Sequence, residues 1–366
     1  MKNNRQTRRG IIVFGGVALL LISAALSVSY VSPKLVVTRI PMVINSLAYS
    51  QGGRILWASG FPPVDWAEPS PNIAPCVYTI ECGKAKDGAA ICTGAGPPGF
   101  GGFEYMGAEH NGDNIAIACT FGRIRVYNGR QRRVLADLNR LEQDPKVVCY
   151  SPDNEYLASA GPGELSIWNM RTLNLIAHCR ARYLSTNLAW IGNHKLIYDG
   201  VRSIVVVNPD DPGSFRFLAT SDQVRLIAGL GFRDSVAVWL AENGEVHMIN
   251  VDSGVDRHVA DSRSPVPERL ASSDDGRYVA IAGPERPYES PRGPGRYLCQ
   301  VLETRTWRTV ATRMYSRLDI TAITFAPHDQ ILAAGDAGGT VSEWRFVPGL
   351  FSGGSFAAFA QSRAKY

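Results

Sequence analysis

The first thirty positions of this 366-residue chain contain no acidic residue, while Lys2, Arg5, Arg8 and Arg9 all precede residue 10. Those four charges make up most of a formal net charge of +5, so everything that follows is nearly neutral. A neutral body offers no basic stripe for nucleic acid, and no nucleic-acid partner is expected. Beyond residue 31 no stretch shows a persuasive helical period, which points to an all-β chain. Metalloprotease, nucleophile-elbow and phosphate-loop motifs are also absent. Gly94-Ala-Gly-Pro-Pro-Gly99 fits a dinucleotide fingerprint only on paper, because no strand–helix unit surrounds it. The six histidines (110, 178, 194, 247, 258 and 328) are scattered, and the spacings of Cys76, Cys82 and Cys92 match no zinc pattern. No catalytic residue, metal or cofactor is therefore expected, and the chain reads as a non-enzyme. Cys76, Cys82 and Cys92 are close enough in sequence to form one disulfide in an oxidising compartment. The lack of any Asn-x-Ser/Thr acceptor favours a bacterial envelope protein over a glycosylated ectodomain.

The chain does contain one long apolar run, Gly10 to Val31, uninterrupted by charge. A helix of roughly 20 such residues spans a hydrocarbon core of about 30 Å. Residues 1–9 form a basic cytoplasmic flank, so a signal-anchor over 10–31 places the rest across the membrane. The alternative is export with cleavage near Ser29, where Ser27 and Ser29 make a small-x-small site.

From about 35 to 347, apolar runs of period two are broken by Gly, Asp, Asn and Pro. They recur as a phrase. Its clearest copies are Val147–Gly161 with Glu164–Asn169, and Ile320–Gly335 with Thr340–Trp344. Seven units begin near Val43, Glu104, Val147, Asn187, Leu226, Glu268 and Ile320. Units of this size cannot bury their own cores and must stack. In the turns, Asp153, Asp274 and Asp329 stand in matching places, where Asp bonds its neighbouring backbone.

The phrase Ser151-Pro-Asp-Asn-Glu-Tyr-Leu-Ala-Ser159 resembles the second-strand motif of WD40 repeats, as does Ser273-Asp-Asp-Gly-Arg-Tyr-Val-Ala-Ile-Ala-Gly283. Trp168-Asn169, Trp344-Arg345 and Tyr127-Asn128 stand where that family carries Trp-Asp. The resemblance implies a single β-propeller of seven four-stranded blades over 35–347, preceded by the transmembrane helix and followed by a flexible tail, 348–366. No unit has the full Trp-Asp and the Gly-His dipeptide is missing, so apolar packing is expected to replace the family's buried hydrogen-bond tetrad. Leu35–Ile40 is a spare strand, and pairing it with the last unit would close the ring.

Three insertions break the rhythm: Ser59–Pro75, Gly94–Phe103 and Gly283–Arg296. They fall between second and third strands or between units, and in this topology those positions share one face, the membrane-distal one. Loops on a rigid scaffold carry recognition, and Pro lowers their ordering cost. Phe61, Trp66, Phe100, Phe103 and Tyr288 are candidate aromatic anchors, with Arg286, Arg292 and Arg296 as bidentate donors. The function this implies is a non-enzymatic scaffold docking a protein or peptide on the distal face, with 10–31 in the membrane. The alternative is a propeller enzyme or small-ligand sensor using the central channel. First-strand polar residues are confined to Glu104, Asn187, Arg225, Glu268 and Arg269, with no repeated polar channel position, and that argues for the scaffold.

Overall fold

The computed structural model describes residues 35–61, 76–82, 89–91, 103–110, 112–119, 122–139, 144–184, 187–200, 202–230, 235–287, 296–315, 319–327 and 330–347. The segment 10–31 lies outside them, as do 1–9 and the tail 348–366.

The described residues form seven antiparallel sheets, each a blade of a propeller. Blade one is β2 (Val43–Ser50), β3 (Ile55–Phe61), β4 (Cys76–Glu81) and β5 (Ala89–Ile91). Blade two is β6 (Phe103–Ala108), β7 (Asn114–Cys119), β8 (Arg123–Asn128) and β9 (Arg133–Asn139). Blade three has β10 (Val147–Tyr150), β11 (Tyr156–Asn169) and β12 (Asn174–Leu184). Here β11 serves as second and third strand, its first half pairing with β10 and its second with β12. Blade four is β13 (Leu188–Ile191), β14 (Lys195–Gly200), β15 (Ser203–Asn208) and β16 (Asp211–Ala219). Blade five is β17 (Val224–Gly229), β18 (Val236–Ala241), β19 (Glu245–Asn250) and β20 (Asp256–Asp261). Blade six is β21 (Arg269–Ser272), β22 (Tyr278–Pro284), β23 (Tyr297–Glu303) and β24 (Arg308–Met314). Blade seven takes β25 (Ile320–Phe325), β26 (Ile331–Asp336) and β27 (Thr340–Arg345), then β1 (Leu35–Arg39) as its outer strand. The spare strand closes the ring as expected, in antiparallel register from Leu35 opposite Trp344 to Arg39 opposite Thr340.

First strands touch in cyclic order, β2–β6–β10–β13–β17–β21–β25 and back to β2. Each of seven apolar clusters lies between two neighbouring blades, so every blade's core is completed by the next. This explains the burial along each blade. Second strands are covered on both sides, as in β22, whose seven residues are all buried. Fourth strands face solvent, as in β20 with its Asp256-Arg-His-Val-Ala-Asp261 sequence. Trp57, Trp168 and Trp239 fill three of the interfaces and are almost wholly buried.

Where the family phrase has Trp-Asp, the Asn of this chain caps the third-to-fourth strand turn. Asn169 Oδ1 accepts the N–H groups of Arg171 and Thr172 at 3.0 and 3.1 Å. Asn250 Oδ1 does the same for Asp252 and Ser253 at 3.1 and 2.8 Å. The expectation of purely apolar blades holds only in part. In blade five Trp239 Nε1 donates to Asp256 Oδ1 at 3.1 Å, and the buried His247 ring stacks on Trp239 with centroids 4.2 Å apart.

Candidate functional site

Alternating strand direction gives the ring two faces. First-to-second and third-to-fourth strand turns share one, called here the turn face; Leu35 and Arg345, at the ends of β1 and β27, lie on it. Second-to-third strand loops and blade-to-blade links share the other, the loop face. The three insertions all belong to the loop face.

Of the predicted docking residues, Trp66, Phe100, Tyr288 and Arg292 lie outside the described residues. Phe61 ends β3 and Phe103 opens β6, both at the loop face, but their side chains are outside the description. Arg286 and Arg296 flank the blade-six insertion on the same face, half-buried and exposed respectively. Their hairpin is sealed by a bond from Glu285 N–H to Arg296 O at 2.7 Å, so the insertion springs from a rigid base. Cys82 carries a free thiol, leaving any disulfide in that region to Cys76 and Cys92, whose side chains are not described.

The first-strand polar residues require a correction, because one polar position does repeat in every blade. A β-bulge sits at Asn45, Glu104, Arg225 and Thr321, and Lys146, Asn187 and Glu268 occupy the equivalent place just before β10, β13 and β21. Where their bonds are seen, two are clasps between blades. Asn187 Nδ2 donates to Arg225 O at 3.0 Å, and Arg225 Nε to Pro267 O at 2.6 Å. Arg269 continues the series with its Nε 2.5 Å from Thr321 O. At Asn187 and Arg225 the position ties neighbouring blades. Thr321 Oγ1 instead donates to Gly335 O at 3.2 Å and Glu268 accepts from the Tyr297 hydroxyl at 3.3 Å, each within its own blade. The extra residue of a bulge permits either by re-aiming its side chain.

On the turn face, backbone bonds align the first-to-second strand turns. Glu109, Ser151, Ser273 and Ala326 each donate their N–H to the carbonyl five residues on. In blade three Ser151 Oγ donates to Asp153 Oδ1 at 2.6 Å, and the Glu155 N–H donates to the same oxygen at 3.1 Å. In blade six the matching carboxylate is Asp275, which accepts from Ser273 Oγ at 2.7 Å and from the Arg277 N–H at 3.0 Å. The alignment of Asp153 with Asp274 made from sequence is thus off by one. Asp274 corresponds to Pro152, to Pro327 and to His110.

That position leads toward the axis. His110 of blade two and Asp274 of blade six meet there, Nδ1 to Oδ2 3.7 Å, although blades seven and one lie between them. Beside the pair is a cavity of about 200 Å³ lined by Tyr49, Met106, Val148 and Phe325 among others. The His110 N–H is fixed by Asn154 Oδ1 at 3.1 Å. A second recess of about 190 Å³ between blades six and seven shares Asp274 with Asp275, Arg277 and Arg345.

The described thiols are poor nucleophiles. Burial pushes Cys149 and Cys299 up to about 12, and Cys119 and Cys179 up to about 11. Cys82 is raised further by burial and then by the adjoining Glu343 carboxylate. Among the described residues no group of three His, Cys, Asp or Glu side chains is placed to hold a metal ion.

Neither a protein-family model nor a curated protein matches this chain. The fold stands on its own geometry as a seven-bladed propeller, consistent with a WD40-like architecture and fitting an interaction scaffold in general terms.

Proposed function

We propose that this chain is a membrane-anchored, WD40-like propeller that docks a protein or peptide on its loop face and catalyses no reaction. The anchor is the apolar run 10–31, with the basic N-terminus cytoplasmic and the propeller on the extracytoplasmic side, in a bacterial envelope. Only Ser32-Pro-Lys34 separate that run from β1 in sequence, and the loop face is taken as the membrane-distal one.

One observation carries the reading: all three departures from the repeat fall on a single face. Lengthening is tolerated more readily on that face, but the second-to-third strand links of blades two, four and five stay short there. The long ones gather at blades six, one and two, as a docking surface whose contacts must converge requires. Phe61, Trp66, Phe100, Phe103 and Tyr288 supply the apolar content, with Arg286, Arg292 and Arg296 for anionic or carbonyl groups.

The test is crosslinked affinity purification from membranes, comparing the intact chain with forms lacking 62–74 or 287–294. These cuts spare β3, β4, β22 and β23 and the Glu285–Arg296 seal. A protein partner recovered with the intact chain and lost from a deletion supports the reading. Equal recovery of the same proteins from both deletions would refute it.

A further inference from the structure

We propose that the axial mouth on the turn face binds a protonated amine carried on a short apolar stem, with Asp274 as its counter-ion. The inference concerns the face opposite the docking loops and does not depend on them.

Asp274 differs from the other carboxylates of its class in one respect. Asp153 and Asp275 each accept both a serine hydroxyl and a backbone N–H, so their oxygens serve the turn. Asp274 has no such bonds; among the described residues its one ion-pair contact is with the His110 ring, at 3.7 Å and beyond hydrogen-bond reach, while Asp275, Arg277 and Arg345 share the recess on its other side. The position is not acidic by repetition, since blades three and seven have Pro152 and Pro327 there. Nor does the turn require a carboxylate, because those prolines complete it. What remains is a half-buried carboxylate, its side chain 28% exposed, with unused acceptor capacity at the edge of a cavity of mixed lining. Thr324 and the buried Tyr150 hydroxyl, which has no partner among the described residues, stand there among apolar side chains.

The cavity narrows the chemistry. Tyr49, Met106, Val148 and Phe325 offer apolar surface, while Asp274 supplies the anionic acceptor at the mouth. A ligand that is apolar throughout would bury Asp274 without a donor, and an anion would be repelled by it. An alkyl- or arylalkyl-ammonium satisfies both parts, placing its stem in about 200 Å³ and its N–H groups on the carboxylate. His110 would be displaced toward solvent, where its side chain is already 36% exposed. The amine is either a free small molecule or a lysine side chain presented by a partner.

The test uses the full-length chain, titrated with benzylamine and with benzyl alcohol and followed by calorimetry or by NMR of the tyrosine and methionine signals. Benzylamine binds and benzyl alcohol binds at least about tenfold more weakly. Asp274→Asn loses benzylamine affinity by a similar factor while leaving the unliganded melting temperature in place. Asp274 takes no part in holding the turn, so this variant folds. A lysine-containing tripeptide titrated alongside separates the sources: tighter binding than benzylamine marks a side chain, weaker binding a free amine. Equal affinity for amine and alcohol, an unaffected Asp274→Asn variant, or no binding of either amine at about 10 mM would overturn the proposal.

Discussion

The two faces of the ring solve one connection problem in opposite ways. On the turn face, the fully described links are short, and several are self-sufficient: Ser151 with Asp153 and Ser273 with Asp275 close first-to-second strand turns, and Asn169 and Asn250 cap third-to-fourth ones. On the loop face, links range from tight turns such as that at Gly339 to the insertion between Phe61 and Cys76. Sequence variation is confined where the backbone bonds are made by strand ends alone. A turn that hydrogen-bonds its own side chains cannot lengthen without losing them, whereas a loop springing from a sealed hairpin can.

The largest effect that would sharpen this contrast lies on the loop face itself. Gly339, with φ of +79°, turns β26 into β27 where β1 leaves blade seven. A Cβ there would stand 2.1 Å from Ile40 O and 2.7 Å from Met42 O, both backbone atoms unable to retreat. Gly339→Ala should cost about 2–3 kcal/mol in urea unfolding, because it combines a left-handed conformation with a clash at the closure seam. The loop face is therefore permissive at blades one and six but not at blade seven, where ring closure depends on it. A loss below about 0.5 kcal/mol would mean the seam yields and closure is loose.

Next in size is a turn-face cap. Ser273 is buried; its hydroxyl donates to Asp275 and accepts from the Tyr278 N–H at 3.0 Å. Ser273→Ala leaves the Tyr278 N–H short of an acceptor and Asp275 short of a donor, at a cost of about 2 kcal/mol. Blade seven has Ala326 at this position, so Ala326→Ser serves as the reciprocal measurement and should be neutral or stabilising by less than about 1 kcal/mol. Removing 287–294 from the loop face should, by contrast, move unfolding by less than about 0.5 kcal/mol, since shortening a loop alters closure entropy only slowly. A deletion costing more than Ser273→Ala would reverse the contrast between the faces.

Much of this architecture was legible in the sequence. Val43, Val147 and Ile320 begin first strands as expected, and Glu104, Asn187, Leu226 and Glu268 fall within two residues of them. Period-two burial against a neighbouring blade writes itself plainly into apolar alternation. The repeated polar position was not legible, and the bulge explains why. One extra residue at Asn45, Glu104, Arg225 or Thr321 shifts the alternation by a step, so residues in the same structural place fall out of phase. Asp274 was hidden for a related reason. Ser151-Pro-Asp and Ser273-Asp-Asp both offer an Asp near the turn, and only the hydrogen bonds show which one the turn uses. The meeting of His110 with Asp274 had no local signal at all, because it joins blades two and six through the ring's curvature.

The smallest effect expected of a single substitution that removes a contact belongs to neither face and calibrates the others. Arg125 and Asp137 stand opposite each other on β8 and β9, with Nε–Oδ1 at 2.7 Å and Nη2–Oδ2 at 2.9 Å. The Arg125 hydrogen bonds hold the Asp137 carboxyl below its usual range, against a smaller opposing push from burial. A carboxyl with a folded pKa below its unfolded one stabilises the native state above the unfolded value, about 3.9. That stabilisation fades as pH falls through the lower folded value. The pair is partly solvated, with side chains 15% and 29% exposed, so its worth at neutral pH is about 0.5–1 kcal/mol. Arg125→Ala should remove that amount at pH 7, and the gap from the parent should close as pH falls below the unfolded carboxyl value and through the lower folded one. Neither Gly339→Ala nor Ser273→Ala should show such convergence, since one acts through backbone geometry and the other chiefly through a neutral hydroxyl. A pH-independent Arg125→Ala penalty would instead place its contribution in packing of the arginine stem along the blade's outer edge.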